Sequence, residues 1–210
     1  YNYLSLQNET ETFKNRLLKH GYIASEFVEL KAQNDSTYRA VFYLNTYYKM
    51  VRVYYNDVPV DKSFLKLIAH SVSDAYFDIK MDDVENALST LNAEIANQGD
   101  PFSSVQLTGI QKSSDGNLHA HLSITQKNKR TIDSIIVNGY EKFPKSYIKH
   151  FLKLKRKQPL NLKIVQDKTS QLENLQFANQ IKTPEVLFTK DSTILYIYVE
   201  KQKSNAFDGF

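Results

Sequence analysis

The sequence predicts an α+β chain of small tandem modules, on three observations. The first is a recurring order of elements. Leu17-Leu18-Lys19-His20-Gly21-Tyr22 leads into a strand-like Phe27 to Ala32, a turn at Asn34-Asp35-Ser36 and an apolar strand Arg39 to Leu44. The same order returns at Leu88 and Leu91, Val105 to Ile110, Ser114-Asp115-Gly116 and Leu118 to Ile124. It returns again at Leu172, Leu175, Gln176 and Phe177, then Ile181 to Phe188, Lys190-Asp191-Ser192 and Ile194 to Val199. The second observation is the spacing: the turn aspartates Asp35, Asp115 and Asp191 lie 80 and 76 residues apart, the period of one small supersecondary unit. The third is that helical stripes and strand-like runs alternate inside each unit.

The second unit reads as complete. Met50 to Tyr55 is its first strand, and Asp61-Lys62-Ser63 opens a short helix through Phe64, Leu65, Leu67 and Ile68. Asp82-Asp83-Val84-Glu85 has the form of a capping box. It precedes a helix with Val84, Leu88, Leu91 and Ile95 on one stripe. A hairpin follows, Ser104 to Lys112 and Asn117 to Thr125 around Asp115-Gly116. In its first strand Val105 and Leu107 share one phase and Ile110 takes the other, which predicts a β-bulge at Gly109 that returns Ile110 to the core.

The third unit repeats the plan. Arg130 to Val137 is a strand, Asn138-Gly139 a turn, and Pro144 suits the first turn of a short helix. Val165, Leu172 and Leu175 mark the second helix, before a hairpin closed at Lys190-Asp191-Ser192. The first unit is partial. Leu4 and Leu6 align with Phe77 and Ile79, just ahead of the second helix, and Asn8 with Glu11 forms another capping box. The predicted divisions are 1–48 (partial), 49–128, 129–202 and a short passage 203–210. The joints Asn45 to Lys49 and Gln126 to Lys129 are short and lack Gly and Pro, so they predict limited hinges. Each complete unit is expected to hold a three-stranded mixed sheet with two helices on one face.

Composition narrows the function. The chain has 210 residues, enough for two or three such modules. It has no cysteine, which removes disulfides, thiolate nucleophiles and cysteine zinc sites. A net charge of +4 permits an anionic partner without requiring one. No run approaches 18 apolar residues, and with no initiator Met or signal peptide the sequence reads as a piece of something longer. His119 and His121 share one strand face, left toward solvent because Leu118, Ala120, Leu122 and Ile124 take the other, and no third metal ligand is evident. His20, His70 and His150 are not spaced as parts of a triad, and six glycines leave no phosphate loop. No catalytic residue, metal or cofactor is therefore assigned, and no nucleic-acid motif is present. Lys153-Leu154-Lys155-Arg156-Lys157 is the one dense basic run, suited to anionic headgroups. Tyr38, Tyr43, Tyr47, Tyr48, Tyr54 and Tyr55 crowd the first joint, where packing is the favoured role.

The stretch Ile132-Asp133-Ser134-Ile135-Ile136-Val137-Asn138-Gly139, with Leu172 through Phe177 and Leu195 through Glu200 in register, resembles a POTRA (polypeptide-transport-associated) domain. Such domains belong to the BamA-type outer-membrane β-barrel assembly superfamily, with its TamA-type and two-partner secretion members. Ser204 to Phe210 is similar to the family's passage into a first barrel strand. Two features depart from the pattern: Asn56-Asp57 stands where a Gly is usual, and no Gly follows the first helix in either full unit.

The resemblance implies that the last strand lies centrally and the hairpin's first strand lies at an edge, open to an extended peptide. The open-face candidates are Phe27, Glu29 and Lys31 in the first unit and Ser104, Gln106 and Thr108 in the second. The uninterrupted first unit ranks ahead, and Pro184 blunts the third unit's edge. Lys153, Lys155, Arg156 and Lys157 are candidates for the membrane surface. The implied function is a non-enzymatic arm on the periplasmic face of the outer membrane, holding unfolded outer-membrane or secreted polypeptides. Its other partners would be its own C-terminal barrel, accessory envelope proteins and the inner leaflet. The alternative is a scaffold that docks folded envelope partners.

Overall fold

The computed structural model describes residues 3–56, 58–175 and 177–202. The passage 203–210, Asp57 and Gln176 therefore lie outside the described residues. Two compact units are present, one drawn from residues 1–91 and 105–124, the other from 92–104 and 125–210.

The first unit opens with helix α1 (Tyr3–Lys19) and the antiparallel strands β1 (Glu26–Ala32) and β2 (Tyr38–Tyr43). The predicted cap at Asn8 is not a cap. The Thr10 and Thr12 hydroxyls already donate to the Leu6 and Asn8 carbonyls at 2.8 Å, as they do inside a helix. Leu6, Thr10 and Phe13 line a shallow pocket with Leu30, Ala40 and Phe42, so tertiary packing extends α1 toward the N-terminus.

The same unit contains β3 (Met50–Tyr54), α2 (Lys62–Ile68), β4 (Ser71–Val72), β5 (Tyr76–Lys80) and most of α3 (Val84–Asn97), β6 (Ser104–Lys112) and β7 (Leu118–Thr125), of which residues 92–97, 104 and 125 are counted with the other unit. The strand order is β4-β5-β3-β7-β6, with β3 parallel to β7 and antiparallel to β5. Five strands replace the predicted three. Residues Tyr76–Lys80 alternate, burying Phe77 and Ile79 beside Val53 and Val51. Leu118 and Ala120 complete that face on β7, and Leu65, Ala87 and Leu91 contribute from the helices. Asp61 caps α2 by accepting from the Ser63 N–H at 2.8 Å. The predicted box at Asp82-Glu85 does not form. A 3-10 turn, Met81–Asp83, precedes α3 without a side-chain cap. The Asp82 and Glu85 carboxylates instead take His20 at 2.7 Å and Lys19 at 2.8 Å, at the end of α1.

The other unit carries β8 (Ser134–Asn138), α4 (Lys145–His150), α5 (Leu162–Thr169), β9 (Ala178–Phe188) and β10 (Thr193–Lys201). Its sheet has three strands in the order β8-β10-β9, with β8 parallel and β9 antiparallel to the central β10. Leu195, Ile197 and Val199 alternate inward from β10 onto Ile132, Leu152, Leu154, Leu160, Val165 and Leu172. Pro144 sits at the cap of α4 at φ −66°, one position before the predicted first turn. Leu172 lies on a 3-10 turn, Ser170–Asn174, that continues α5. The counterpart of β5 is reduced to a single bridge between Thr131 and Pro159.

Candidate peptide-binding edges

Strand β6 closes one side of the five-stranded sheet and, among the described residues, has a neighbour on one flank only. Ser104, Gln106 and Thr108 are exposed, alternating with half-buried Val105 and Leu107. Gly109 adopts φ +60°, the left-handed backbone expected of a bulge. The predicted consequence does not follow, because Ile110 remains 57% exposed. Every position from Thr108 to Lys112 is exposed. A change of phase there has no buried face to return to.

Strand β1 is where a bulge interrupts pairing. Phe27 faces Phe42 and Glu29 faces Val41, so Val28 is the extra residue. Phe27 therefore turns toward Phe42, with ring centroids 5.5 Å apart, and Phe42 meets Phe13 of α1 at 5.0 Å. Phe27 thus leaves the predicted open face for the side of α1, though still 40% exposed, and Val28 does not take the predicted core role, being 57% exposed. Glu29 and Lys31 keep the open face and pair at 2.7 Å.

Strand β9 lies at an edge of its sheet. Its register slips between Lys182 and Glu185, around Pro184, and again around Ile181. A strand that lacks one N–H and slips twice makes a poor template for pairing. Lys182 donates to Glu185 at 2.6 Å, lies 4.0 Å over the Tyr198 ring, and the Tyr198 hydroxyl donates to the same carboxylate at 2.5 Å. The Lys182 and Tyr198 hydrogen bonds hold the Glu185 carboxyl below its ordinary value.

The open face of the five-stranded sheet carries a polar and aromatic cluster that the sequence reading missed. Arg52 of β3 grips Asp78 of β5 through Nε and Nη2 at 2.9 and 3.2 Å, and its guanidinium lies 4.0 Å over the Tyr76 ring. Burial alone would raise the Asp78 carboxyl, but hydrogen bonds from Arg52 and the Ser71 hydroxyl outweigh it and hold it below the ordinary value. The signal was present in the alternation of Met50–Tyr54. His119 lies on this face against Tyr54, and its Nε2 meets the Asp115 carboxylate at 3.2 Å. The Asn117 backbone N–H, then His119 and Ser113, hold the Asp115 carboxyl well below the carboxylate range. His121 is exposed beside Tyr54. Among the described residues no three His, Asp or Glu side chains gather as metal ligands would.

Lys153, Lys155, Arg156 and Lys157 are exposed, while Leu154 between them is buried in the core. The crowded tyrosines divide. Tyr48 is buried and its N–H donates to the Gly21 carbonyl at 2.9 Å, and the Tyr47 and Tyr22 rings meet at 5.1 Å. Tyr54 instead faces the open sheet, and Tyr38 and Tyr43 are exposed.

Residues 130–202 match the POTRA family, described as a surface antigen variable number repeat. The solved POTRA domains 3–5 of BamA from Haemophilus influenzae superpose with a TM-score of 0.54, over 93% of this chain and 80% of that one, at 13% identity. BamA from Haemophilus ducreyi lacking POTRA domains 1–3 superposes with a TM-score of 0.52 at 12% identity. That match covers 71% of this chain and 28% of that one, so the chain spans under a third of the second protein. No curated protein matches the sequence. Residues 130–202 thus match the POTRA family model, and the chain shares the fold of solved POTRA domains.

Proposed function

We propose that the chain is part of the periplasmic arm of an outer-membrane β-barrel transporter. In that role its open sheet edges hold unfolded outer-membrane or secreted polypeptide by strand addition. The arm precedes the protein's own barrel and does no covalent chemistry. The observation that carries the reading is β6: its first half, Ser104 to Thr108, alternates without interruption on a free edge of a POTRA-like sheet. An incoming strand there would gain backbone hydrogen bonds with little sequence preference. The bulge at Val28 moves β1 behind β6 as a receptor and leaves Glu29 and Lys31 as its contacts. Lys153, Lys155, Arg156 and Lys157 would meet anionic headgroups, each contributing about 1 kcal/mol near such a surface.

The test places photo-crosslinkers at Glu29, Gln106 and Glu185 and presents an unfolded barrel-strand peptide. Labelling should be strongest at position 106. Labelling confined to 185, or capture of folded envelope proteins with no labelling by the unfolded peptide, would replace this reading with the scaffold.

A further inference from the structure

The two larger sheets differ in one strand. In the five-stranded sheet β5 lies along β3, with Phe77 opposite Val53 and Ile79 opposite Val51. Val51 and Val53 are 3% and 0% exposed. The corresponding residues of β8 follow from the parallel registers, Val51 with Leu118 and Val53 with Ala120 against Ile135 with Leu195 and Val137 with Ile197. Leu195 and Ile197 are fully buried, yet Ile135 and Val137 are only half-buried. Among the described residues no strand covers their other flank, because β8 ends its sheet.

The chain comes close to supplying one. Gln158 accepts from the Ile132 N–H at 3.0 Å, Lys157 donates to the Ile132 carbonyl at 2.6 Å, and Arg156 Nε donates to the Asp133 carbonyl at 2.6 Å. Lys157 and Lys153 then adopt φ of +62° and +52°. These are left-handed conformations that non-glycine residues rarely take. The segment departs where β5 would continue, which leaves a cleft of about 620 Å³ beside β8. Ile135, Val137, Phe143, Ile148 and Leu154 are among its apolar lining, and Glu141, Lys155 and Arg156 are its charged residues.

We propose that the open edge of β8 and this cleft take an extended segment of a partner polypeptide as an added antiparallel strand, in the place β5 occupies beside β3. The inference rests on the reading of the chain as a polypeptide-holding arm, and it names a different edge and a sequence pattern. A free edge asks for backbone N–H and C=O groups, which a lipid tail does not supply. Two apolar side chains, one residue apart, would cover Ile135 and Val137 as Ile79 and Phe77 cover Val51 and Val53. The residue between them would stand on the open face beside Ile136. Two cations against one acid at the rim favour an acidic residue near the pair. The segment Ser73 to Met81, which contains Phe77-Asp78-Ile79, has this pattern and is a ready probe.

The chain has no cysteine, so disulfide trapping is clean. The full chain carrying Ile136→Cys is mixed with a synthetic peptide of residues 73–81 carrying Asp78→Cys. Trapping should exceed, by tenfold or more, that of peptides with cysteine at Phe77 or Ile79, whose side chains point to the cleft. It should also exceed trapping by full chains with Glu29→Cys, Gln106→Cys or Glu185→Cys. Replacing Phe77 and Ile79 of the peptide by Ser should abolish it, and Lys155→Glu with Arg156→Glu should weaken it severalfold. Equal trapping at every peptide position, or a disulfide between two Ile136→Cys chains that the peptide does not suppress, overturns the proposal. Loss of trapping on adding neutral phosphatidylcholine vesicles, which the basic run does not attract, also overturns it and assigns the cleft to lipid. Unfolded peptide labelling at Gln106 without trapping at Ile136 sinks this site alone. Trapping at Ile136 in a chain that binds no unfolded barrel-strand peptide sinks the arm function and leaves the site.

Discussion

Gly139 shows how one missing Cβ fixes a turn. Its φ is +90°, and a Cβ there would collide with the Val199 carbonyl and press on Ile181. Gly116 has a similar φ of +79°, but a Cβ there would meet nothing within 4 Å. The pair separates backbone strain from crowding. Gly116→Ala should cost about 1–2 kcal/mol, the left-handed penalty alone. Gly139→Ala should cost about 3 kcal/mol or more, because the carbonyl must also move. Urea unfolding of the two variants checks the order, and equal losses would remove the carbonyl from the argument. The Arg52–Asp78 pair gives a pH dependence. Asp78 is depressed below 3.8 in the folded state. Its contribution is therefore complete above the unfolded pKa and is lost as pH falls through the lower folded value. Asp78→Asn should lower stability at pH 7 by about 2 kcal/mol, since both partners are mostly buried and Arg52 loses a charged acceptor. Thermal unfolding should show the gap between variant and parent closing as pH falls through the lowered folded value of Asp78, by that linkage. A gap unchanged at low pH would assign the loss to packing.

Strand β5 decides how far each sheet closes. Phe77 and Ile79 are both 1% exposed and cover the flank of β3. Phe77→Ala should cost about 3–5 kcal/mol through the cavity it leaves. It should also speed hydrogen exchange in the β3 amides more than in those of β7, which measures the loss of the flanking strand. Equal change in both strands would make Phe77 a general core residue with no role in covering that edge. The element was hard to read in advance because its five residues lie between two helices and their apolar members number two. The α+β class, the hairpins and the Asp61 cap were legible, since each depends on residues close in sequence. The boxes at Asn8 and Asp82 misled for the opposite reason. Lys19 and His20 are distant in sequence but near Glu85 and Asp82 in space, and a local pattern does not encode that. Among the candidate edge residues, the alternation at Ser104 to Thr108 was readable. The bulge at Val28 was not, because the ring of Phe42 draws Phe27 to the helix side and no glycine marks the slip.

Across the whole molecule one backbone device recurs. The carbonyl of Gly21, just past α1, accepts the N–H of Tyr48, just before β3, at 2.9 Å. The carbonyl of Gly99, past α3, accepts from Arg130 at 2.7 Å, and that of Phe177 accepts from Gln202 at 2.9 Å. In all three places a residue past a helical segment is tied by one backbone hydrogen bond to a residue past the following hairpin. Modules with their own cores should fail separately. Leu195 is fully buried and belongs to a core confined to residues 132–199. Leu195→Ala should cost about 2–5 kcal/mol, the range for emptying a buried leucine site. Hydrogen exchange should then rise throughout β8, β9 and β10 while the amides of β3 and β5 keep their protection. A uniform rise would mean that the two compact units share one cooperative transition.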